Sequence, residues 1–388
     1  MVKTLVACTA EVDDAKRALD EIKSQLQLET KLMKNSIGII ACHYEFIDSG
    51  VYQAVCDELP FDVVGTVSSS QSVLNNADSL LMTIMLITSD DTEFVNVLTP
   101  SLVSEPGKVI SESYKQSAAA RPQKPALVLA FAPFMIQNSG DEYVNVISDI
   151  SDGVPCFGTI AVDDTPDLSS CFMLSGGGHY SDQMAMVLVY GDINPKFYIA
   201  NISEHKILDK SAALITKSAG HVIMEINGRS VDVFFEDLGL TQASETSYAM
   251  SSLPFLLDYN DGTPQVSKIF ISLTPERYGL CAGAVPEGSS LQIASSDKED
   301  VLFTTEQAVN NILQDIRGAS GLLAYSCIGR SLSLGTDLYA EMNLLNDKVG
   351  DKLPFMMVCS GGEVCPTQTS SAKAINRFHN NAFVACLF

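Results

Sequence analysis

Arg330 in "CIGRS", Glu363 in "VCSGGEVCP" and His379 with Asn380 and Asn381 in "FHNNAFVACLF" share one circumstance: each borders an apolar run. A guanidinium at a strand end can grip a carboxylate through two parallel hydrogen bonds. It can equally close a structural ion pair that caps the strand. Glu363 also stands just beyond an apolar run, where open α/β sheets place ligands, and a carboxylate there can hold an ammonium group. Gly361 and Gly362 before it let the backbone turn sharply or approach another group. Arg330 and Glu363 together suit a zwitterion, and a salt bridge between the two is the rival reading. His379 is open to three roles: donor to a ligand, haem axial ligand, or pH-sensitive group. As a lone histidine it also reads as an ordinary hydrogen-bonding residue.

Other chemistries find less support. No two cysteines form a C-x-x-C pair, and His43, His179, His205 and His221 are scattered without metal-ligand spacing. Cys359 and Cys365 flank Glu363 without metal spacing and read as packing residues. Cys327 is near Arg330, which could lower its pKa, yet its place at a strand end favours packing. "SGGGHY" lacks the Lys-Ser/Thr of a phosphate loop and reads as a hairpin, and no G-x-S-x-G elbow is present.

Three segments that must position these groups share one grammar. They span 36–88, 125–192 and 321–388, and each reads strand, helix, strand, long polar loop, strand. "VVGTV" and "CFGTI" coincide in the first two, matching Gly65 to Gly158, with Met357 at the equivalent place in the third. "KTLVACTA" and "VDDAKRALDEIKSQL" add a strand and an amphipathic helix at the start. The stretch 198–300 differs: short strands and turns, with an Asn-Gly hairpin in "HVIMEINGRSVD". The fold class expected is therefore α/β, with tandem strand-helix-strand-strand units forming mixed sheets flanked by helices. Two domains are expected, 1–200 holding the units 36–88 and 125–192, and 201–388. The segment before 125, rich in Ser, Ala, Pro and Gly, reads as the least ordered, around a short helix.

Composition bounds the partners. Forty-seven acidic residues face 24 basic ones for a net charge of −23, and Trp is absent. Such a chain lacks the cationic clusters that bind nucleic acid or anionic membrane. Ten cysteines sit mostly inside apolar runs, as reduced thiols do in a cytoplasmic protein. No stretch approaches the roughly 18–20 apolar residues of a membrane helix.

Read together, "TKSAGHVIMEINGRSVDVFFEDLGL", "VPEGSSLQI", "SCIGRSLSLG", "PFMMVCSGGEVCP" and "HNNAFVACLF" resemble the successive signatures of the FIST sensory domain. "VDDAKRALDEI" and "VVGTVSS" resemble that family's first subdomain, so the likeness covers almost the whole chain. The resemblance implies a prokaryotic-type signal-input module, not an enzyme, that binds a small ligand such as an amino acid. Some members bind haem and respond to nitric oxide, so no cofactor is implied with haem the alternative. It further implies an output partner such as a kinase, cyclase or chemotaxis receptor, expected here on a separate polypeptide. The Cys-x-Gly-Arg and His-Asn patterns map ligand contacts onto Cys327, Gly329, Arg330, Gly362, Glu363, His379 and Asn380. The family's usual Thr is Ala382 in this chain. The rival outside this family reading is an enzyme for a small amino-acid-like substrate, with Glu363 or His379 as acid or base. A second rival is an interaction module whose strand-end polar groups are structural.

Overall fold

A computed structural model describes residues 2–135, 138–240, 253–368 and 374–388. The chain builds one strand-and-helix pattern three times. The first module runs β1 (Val2–Thr9), α1 (Ala15–Leu26), β2 (Asn35–Cys42), α2 (Val51–Asp57), β3 (Asp62–Val67), the hairpin β4 (Gln71–Val73) and β5 (Asn76–Asp78), then β6 (Met82–Ser89). The second runs β7 (Glu93–Leu98), α3 (Pro106–Ala118), β8 (Leu127–Ala132), α4 (Gly140–Ser151), β9 (Cys156–Ile160), the hairpin β10 (Met173–Ser175) and β11 (Gly178–Tyr180), then β12 (Ala185–Tyr190).

The third module opens with β13 (Lys196–Ala200) and is interrupted by an insert. The insert comprises β14 (Ala213–Ala219), β15 (Val222–Ile226), β16 (Arg229–Ser230), α5 (Val231–Asp237), β17 (Pro254–Asp258), β18 (Val266–Leu273), β19 (Gly279–Cys281) and β20 (Ser290–Ile293). It folds as a seven-stranded sheet around its own core of Phe235, Phe255 and Phe270. The module resumes with α6 (Lys298–Asp315), β21 (Leu322–Cys327), α7 (Ile328–Ser333), α8 (Ala340–Val349), β22 (Phe355–Ser360), β23 (Gly362–Gln368), β24 (Ala374–His379) and β25 (Phe383–Leu387).

Each module makes a six-stranded mixed sheet, but no sheet is made by one module alone. The orders are β1-β6-β2-β3-β10-β11, β7-β12-β8-β9-β23-β24 and β13-β25-β21-β22-β4-β5. The hairpin of the second module joins the first sheet, that of the third joins the second, and that of the first joins the third. The exchange is cyclic. It carries pairings across the division expected near residue 200, as does β13 on β25. The inward faces of all three sheets meet in one central core, including Val64, Phe131, Phe157, Met173, Tyr325 and Val384. Outward faces are covered by the modules' own helices, α1 and α2, α3 and α4, α6 and α8. Strands buried on both faces explain their near-continuous apolar runs.

Local sequence explains the parts. Asp14 caps α1 by accepting from the Arg17 N–H, and Ala18, Ile22 and Leu26 form its buried stripe. Where the sequence suggests only a short helix in a loose segment, α3 has 13 residues, starts on a proline and buries Ile110 and Tyr114. The Asn227-Gly228 turn takes positive φ at both residues, as the hairpin requires. A side chain at Gly65 or Gly158 would put its first carbon 1.7 Å from the Ile40 oxygen or 1.8 Å from the Ala130 oxygen. That close approach of parallel strands is why the two modules share a glycine there.

Candidate functional site

The strand ends of the third module hold two buried polar centres. Arg330 lies on α7, immediately after β21, with 1% of its surface exposed. Its Nε donates to Glu341 Oε1 at 3.0 Å and its Nη2 to the same oxygen at 2.8 Å. Nη2 also donates to the Val301 carbonyl at 2.9 Å and to Thr305 Oγ1 at 2.7 Å. Glu341, from α8, accepts further bonds from Thr305 Oγ1 and, at 2.5 Å, from Ser326 Oγ. Arg330 thus forms a structural ion pair with Glu341, and the bridge to Glu363 weighed from the sequence is not formed. Nothing in the sequence around Glu341 distinguishes it from an ordinary helix-face carboxylate; its partner is set by tertiary packing.

Glu363 is different. It sits on β23, opposite Thr159 of β9 and His379 of β24, with no exposed surface. No well-formed hydrogen bond reaches either carboxylate oxygen among the described residues, although the Ser360 hydroxyl, the Ala382 N–H and the Cys327 thiol stand near it as weak donors. Burial pushes its carboxyl well above the usual carboxylate range. Ser360, the Ala382 N–H, the Cys327 thiol and the Arg330 charge pull more weakly the other way. The side chains of β23 alternate, so Glu363 shares the face of Cys365, a central-core residue, while Val364 belongs to the core under α4. The carboxyl group therefore points toward the centre of the three-sheet body.

Its neighbours are also incompletely bonded. His379 Nε2 meets the Cys365 carbonyl at 3.1 Å, while Nδ1 has no partner among the described residues. Burial drives its pKa down to about 3, so the ring is neutral and Nε2 carries the proton it donates. Asn381 leaves Nδ2 unpartnered, and its Oδ1 stands 3.1 Å from where a side chain on Gly329 would begin. Cys327 lies within reach of Glu363, and burial together with that carboxylate pushes its thiol well up, away from nucleophilic use. Asn380 faces the other way. Its N–H donates to the Ser267 carbonyl of the insert at 3.0 Å, its side-chain amide has no partner among the described residues, and its Nδ2 closes on Gly362. Gly362 is further pinned by the Phe378 ring, which would lie 2.2 Å from any added carbon. The structure thus gathers Cys327, Gly329, Glu363, His379 and Asn381 at one place, puts Asn380 and Gly362 on the opposite face, and gives Arg330 to Glu341.

The serine turn that carries Glu363 recurs. Ser360 Oγ donates to the Gly362 carbonyl at 2.8 Å, and Ser68 Oγ to the Ser70 carbonyl at the same distance. By strand register the place of Glu363 is taken by Gln71 in the first module and Met173 in the second.

A nearby cation is likewise engaged. Lys268 of β18, wholly buried, bonds Asp141 at 2.8 and 3.1 Å and the Phe378 carbonyl at 2.8 Å. Arg377 pairs with Asp261 and lies over the Tyr259 ring at 3.9 Å. Among the described residues no three His, Cys, Asp or Glu side chains form a metal-holding group. His379 does not fit a haem iron: its Nε2 is held by Cys365 and its ring is enclosed in the paired strands. No helix among the described residues is long and apolar enough to cross a membrane.

Comparison with known proteins gives two family matches, a FIST N domain over residues 36–229 and a FIST C domain over 230–366. No curated protein matches the chain. Among solved structures, a cyanuric acid hydrolase from A. caulinodans is similar at 9% identity and TM-score 0.38, covering 100% of this chain and 98% of that one. The T. maritima PurL complexed with FGAR is similar at 10% identity and TM-score 0.19, covering 100% of this chain and 72% of that one.

Proposed function

Because the chain belongs to the FIST family, whose domains bind small ligands in signal transduction, we propose that it is a signal-input protein whose ligand occupies the Glu363 centre. The observation that carries this reading is the fully buried carboxyl group of Glu363, with no well-formed hydrogen bond to either oxygen among the described residues. A buried ionisable group without a partner is costly, and such groups persist where something else completes them. Unpartnered atoms on His379 and Asn381 enlarge the same vacancy in hydrogen bonding. Amino acids are the first ligands to try, held through the ammonium group. Arg330 acts here by positioning: its bonds to Glu341 and to α6 fix the turn that carries Cys327 and Gly329.

An acid–base enzyme is the weaker reading. His379 is neutral and shares its one proton with a main-chain carbonyl, and the Cys327 thiol is pushed up by burial. Output passes to a separate protein of the kinase, cyclase or chemotaxis-receptor type, and the ten unpaired, buried cysteines suit a reducing cytoplasm.

The test is a thermal-shift screen of the whole chain against amino acids, amines, amides and small carboxylates, run in parallel on Glu363→Gln. A ligand present at 100 times its dissociation constant adds about 2.7 kcal/mol, which moves the midpoint by a few degrees. A shift seen in the wild type and absent in the variant is expected. Shifts that survive the substitution would remove Glu363 from the site.

A further inference from the structure

The insert meets the modules across a seam that is polar, although the cores on either side of it are apolar. Phe235, Phe255 and Phe270 stay inside the insert, and Phe378 of β24 belongs to the core under α4. The bonds that cross the seam join polar groups. Lys268 Nζ donates to Asp141 at 2.8 and 3.1 Å and to the Phe378 carbonyl at 2.8 Å. The Ala284 N–H donates to Asp141 at 2.7 Å, the Asn380 N–H to the Ser267 carbonyl at 3.0 Å, and Arg377 pairs with Asp261. Beside them the Ser267 hydroxyl, Arg377 Nε and both ends of the Asn380 side-chain amide are buried without a partner among the described residues. Closing such a seam takes charges and amides out of water and returns only part of their bonds, whereas parting it hydrates both members of each ion pair. Polar joins of this kind let domains move against each other, as large apolar ones do not.

The attachment of the insert allows the motion. Its entry at 201–212 and its exit at 294–297 run side by side. The Leu208 N–H donates to the Ile293 carbonyl at 2.9 Å, the Ser295 N–H to the Lys206 carbonyl at 3.0 Å, and Ile207 bridges Ala294. Ile202, Ile207, Leu256 and Ala294 pack together beside this ribbon. Lys206 pairs with Asp297 and Ser203 bonds Asp300, which fixes the module end of the ribbon to the start of α6. Two tethers paired in one ribbon give a single hinge line, and β18 against β24 is the strand contact that parts.

We infer that the insert is a lid that swings on this ribbon, latched by Lys268 on Asp141. Its opening uncovers β24, the edge strand that places His379 opposite Glu363. Glu363 and His379 have no exposed surface in the closed arrangement, so a group that reaches them enters through such an opening.

Hydrogen exchange of the whole chain, followed at single amides by NMR, reads the seam directly. The Asn380 and Ala284 N–H groups bond across it, so both exchange when the lid parts. The controls are the Ile215 N–H, bonded to the Ser289 carbonyl within the insert, and the Leu322 N–H, bonded to the Pro354 carbonyl within the third module. Asn380 and Ala284 should show matched protection factors, at least about tenfold below those of Ile215 and Leu322. Lys268→Met leaves both seam acceptors in place and should lower the matched pair at least about tenfold further. Seam amides protected as well as the controls would overturn the lid, because the seam then parts only when the chain unfolds. Protection of Asn380 and Ala284 differing by more than tenfold would overturn it too, as separate local fraying, and so would a pair that Lys268→Met leaves unchanged. Should Lys268→Met fail to fold, Arg377→Gln is read on the same pair: a fall of about threefold is expected, and no fall overturns the lid. Because the empty protein is read, the outcome bears on the lid and not on whether Glu363 holds a ligand.

Discussion

Arg330 and Glu363 are buried to the same degree at neighbouring strand ends, yet one is fully answered by the protein and the other is not. The Arg330 guanidinium meets Glu341, Thr304, Thr305 and a main-chain carbonyl, and Glu341 in turn meets Ser326. Glu363 has hydroxyl, thiol and N–H groups nearby but no hydrogen bond to either oxygen. Register places Arg330 six residues beyond Ala324 as Phe46 lies six beyond Ile40, and Phe46 is wholly buried apolar core. At the place of Glu363 the other modules carry Met173, a core residue, and Gln71, whose amide nitrogen bonds the Leu81 carbonyl while its amide oxygen has no partner among the described residues. The difference teaches that burial and charge do not mark a binding group. What separates Glu363 from Arg330 is a hydrogen-bonding capacity left largely unanswered.

The strongest way to break this contrast is Arg330→Ala. It should cost about 3–5 kcal/mol of unfolding free energy in chemical denaturation, because Glu341 is left as a buried, uncompensated charge. Joint replacement, Arg330→Met with Glu341→Leu, should recover most of that loss. An Arg330→Ala protein of wild-type stability that no longer binds ligand would return Arg330 to the binding site and dissolve the comparison. Lys268→Met tests the same principle at the join between the insert and the second module. It removes the partner of Asp141, which keeps the Ala284 N–H at 2.7 Å, so a somewhat smaller loss of about 3 kcal/mol is expected.

Glu363→Gln should do the opposite. With no well-formed hydrogen bond to lose, the substitution exchanges a carboxyl group that burial keeps protonated for a neutral amide, so unfolding free energy at neutral pH should stay level or rise by about 1 kcal/mol. A loss as large as that of Arg330→Ala would mean that Glu363 has structural partners of its own.

How much of this can be read from the chain alone follows from the range of each interaction. The module strands are legible because burial on both faces writes long apolar runs, and Gly65 and Gly158 because one local clash forces both. The cyclic exchange of hairpins is not legible. β4 pairs with β22 and β23 with β9, partners some 200 to 290 residues apart, and nothing local in Gln71–Val73 names its sheet. The site divides in the same way. Glu363, Gly362 and His379 are marked by their place beside apolar strands. Glu341 is not, since a carboxylate on a helix reads as solvated until α6, α7 and β21 are packed around it. That is why Arg330 looks like a free guanidinium in sequence and is a bonded one in the structure.

The smallest effect expected is a cancellation, and it bears on Glu363 and His379 together. Glu363 keeps its proton in the folded state at pH values where the unfolded chain, titrating near 4.5, has lost it. The native state then binds more protons, so this group makes stability fall as pH rises above about 4.5. His379 behaves conversely: folded it titrates at about 3 and unfolded near 6.5, so between those values the unfolded chain binds the extra proton and stability rises with pH. Each group acting alone contributes a slope of up to about 1.4 kcal/mol per pH unit. Between pH 4.5 and 6.5 the two slopes oppose, and the pair together should move stability by less than about 1 kcal/mol. Urea titrations in this window should therefore give nearly parallel pH profiles for the wild type and the double variant Glu363→Gln/His379→Gln. Relative to the wild type, Glu363→Gln should gain stability as pH rises through the window, and His379→Gln should gain it as pH falls. If Glu363→Gln instead gains as pH falls, the folded carboxyl is ionised with a partner. The contrast with the Arg330 pair would then close.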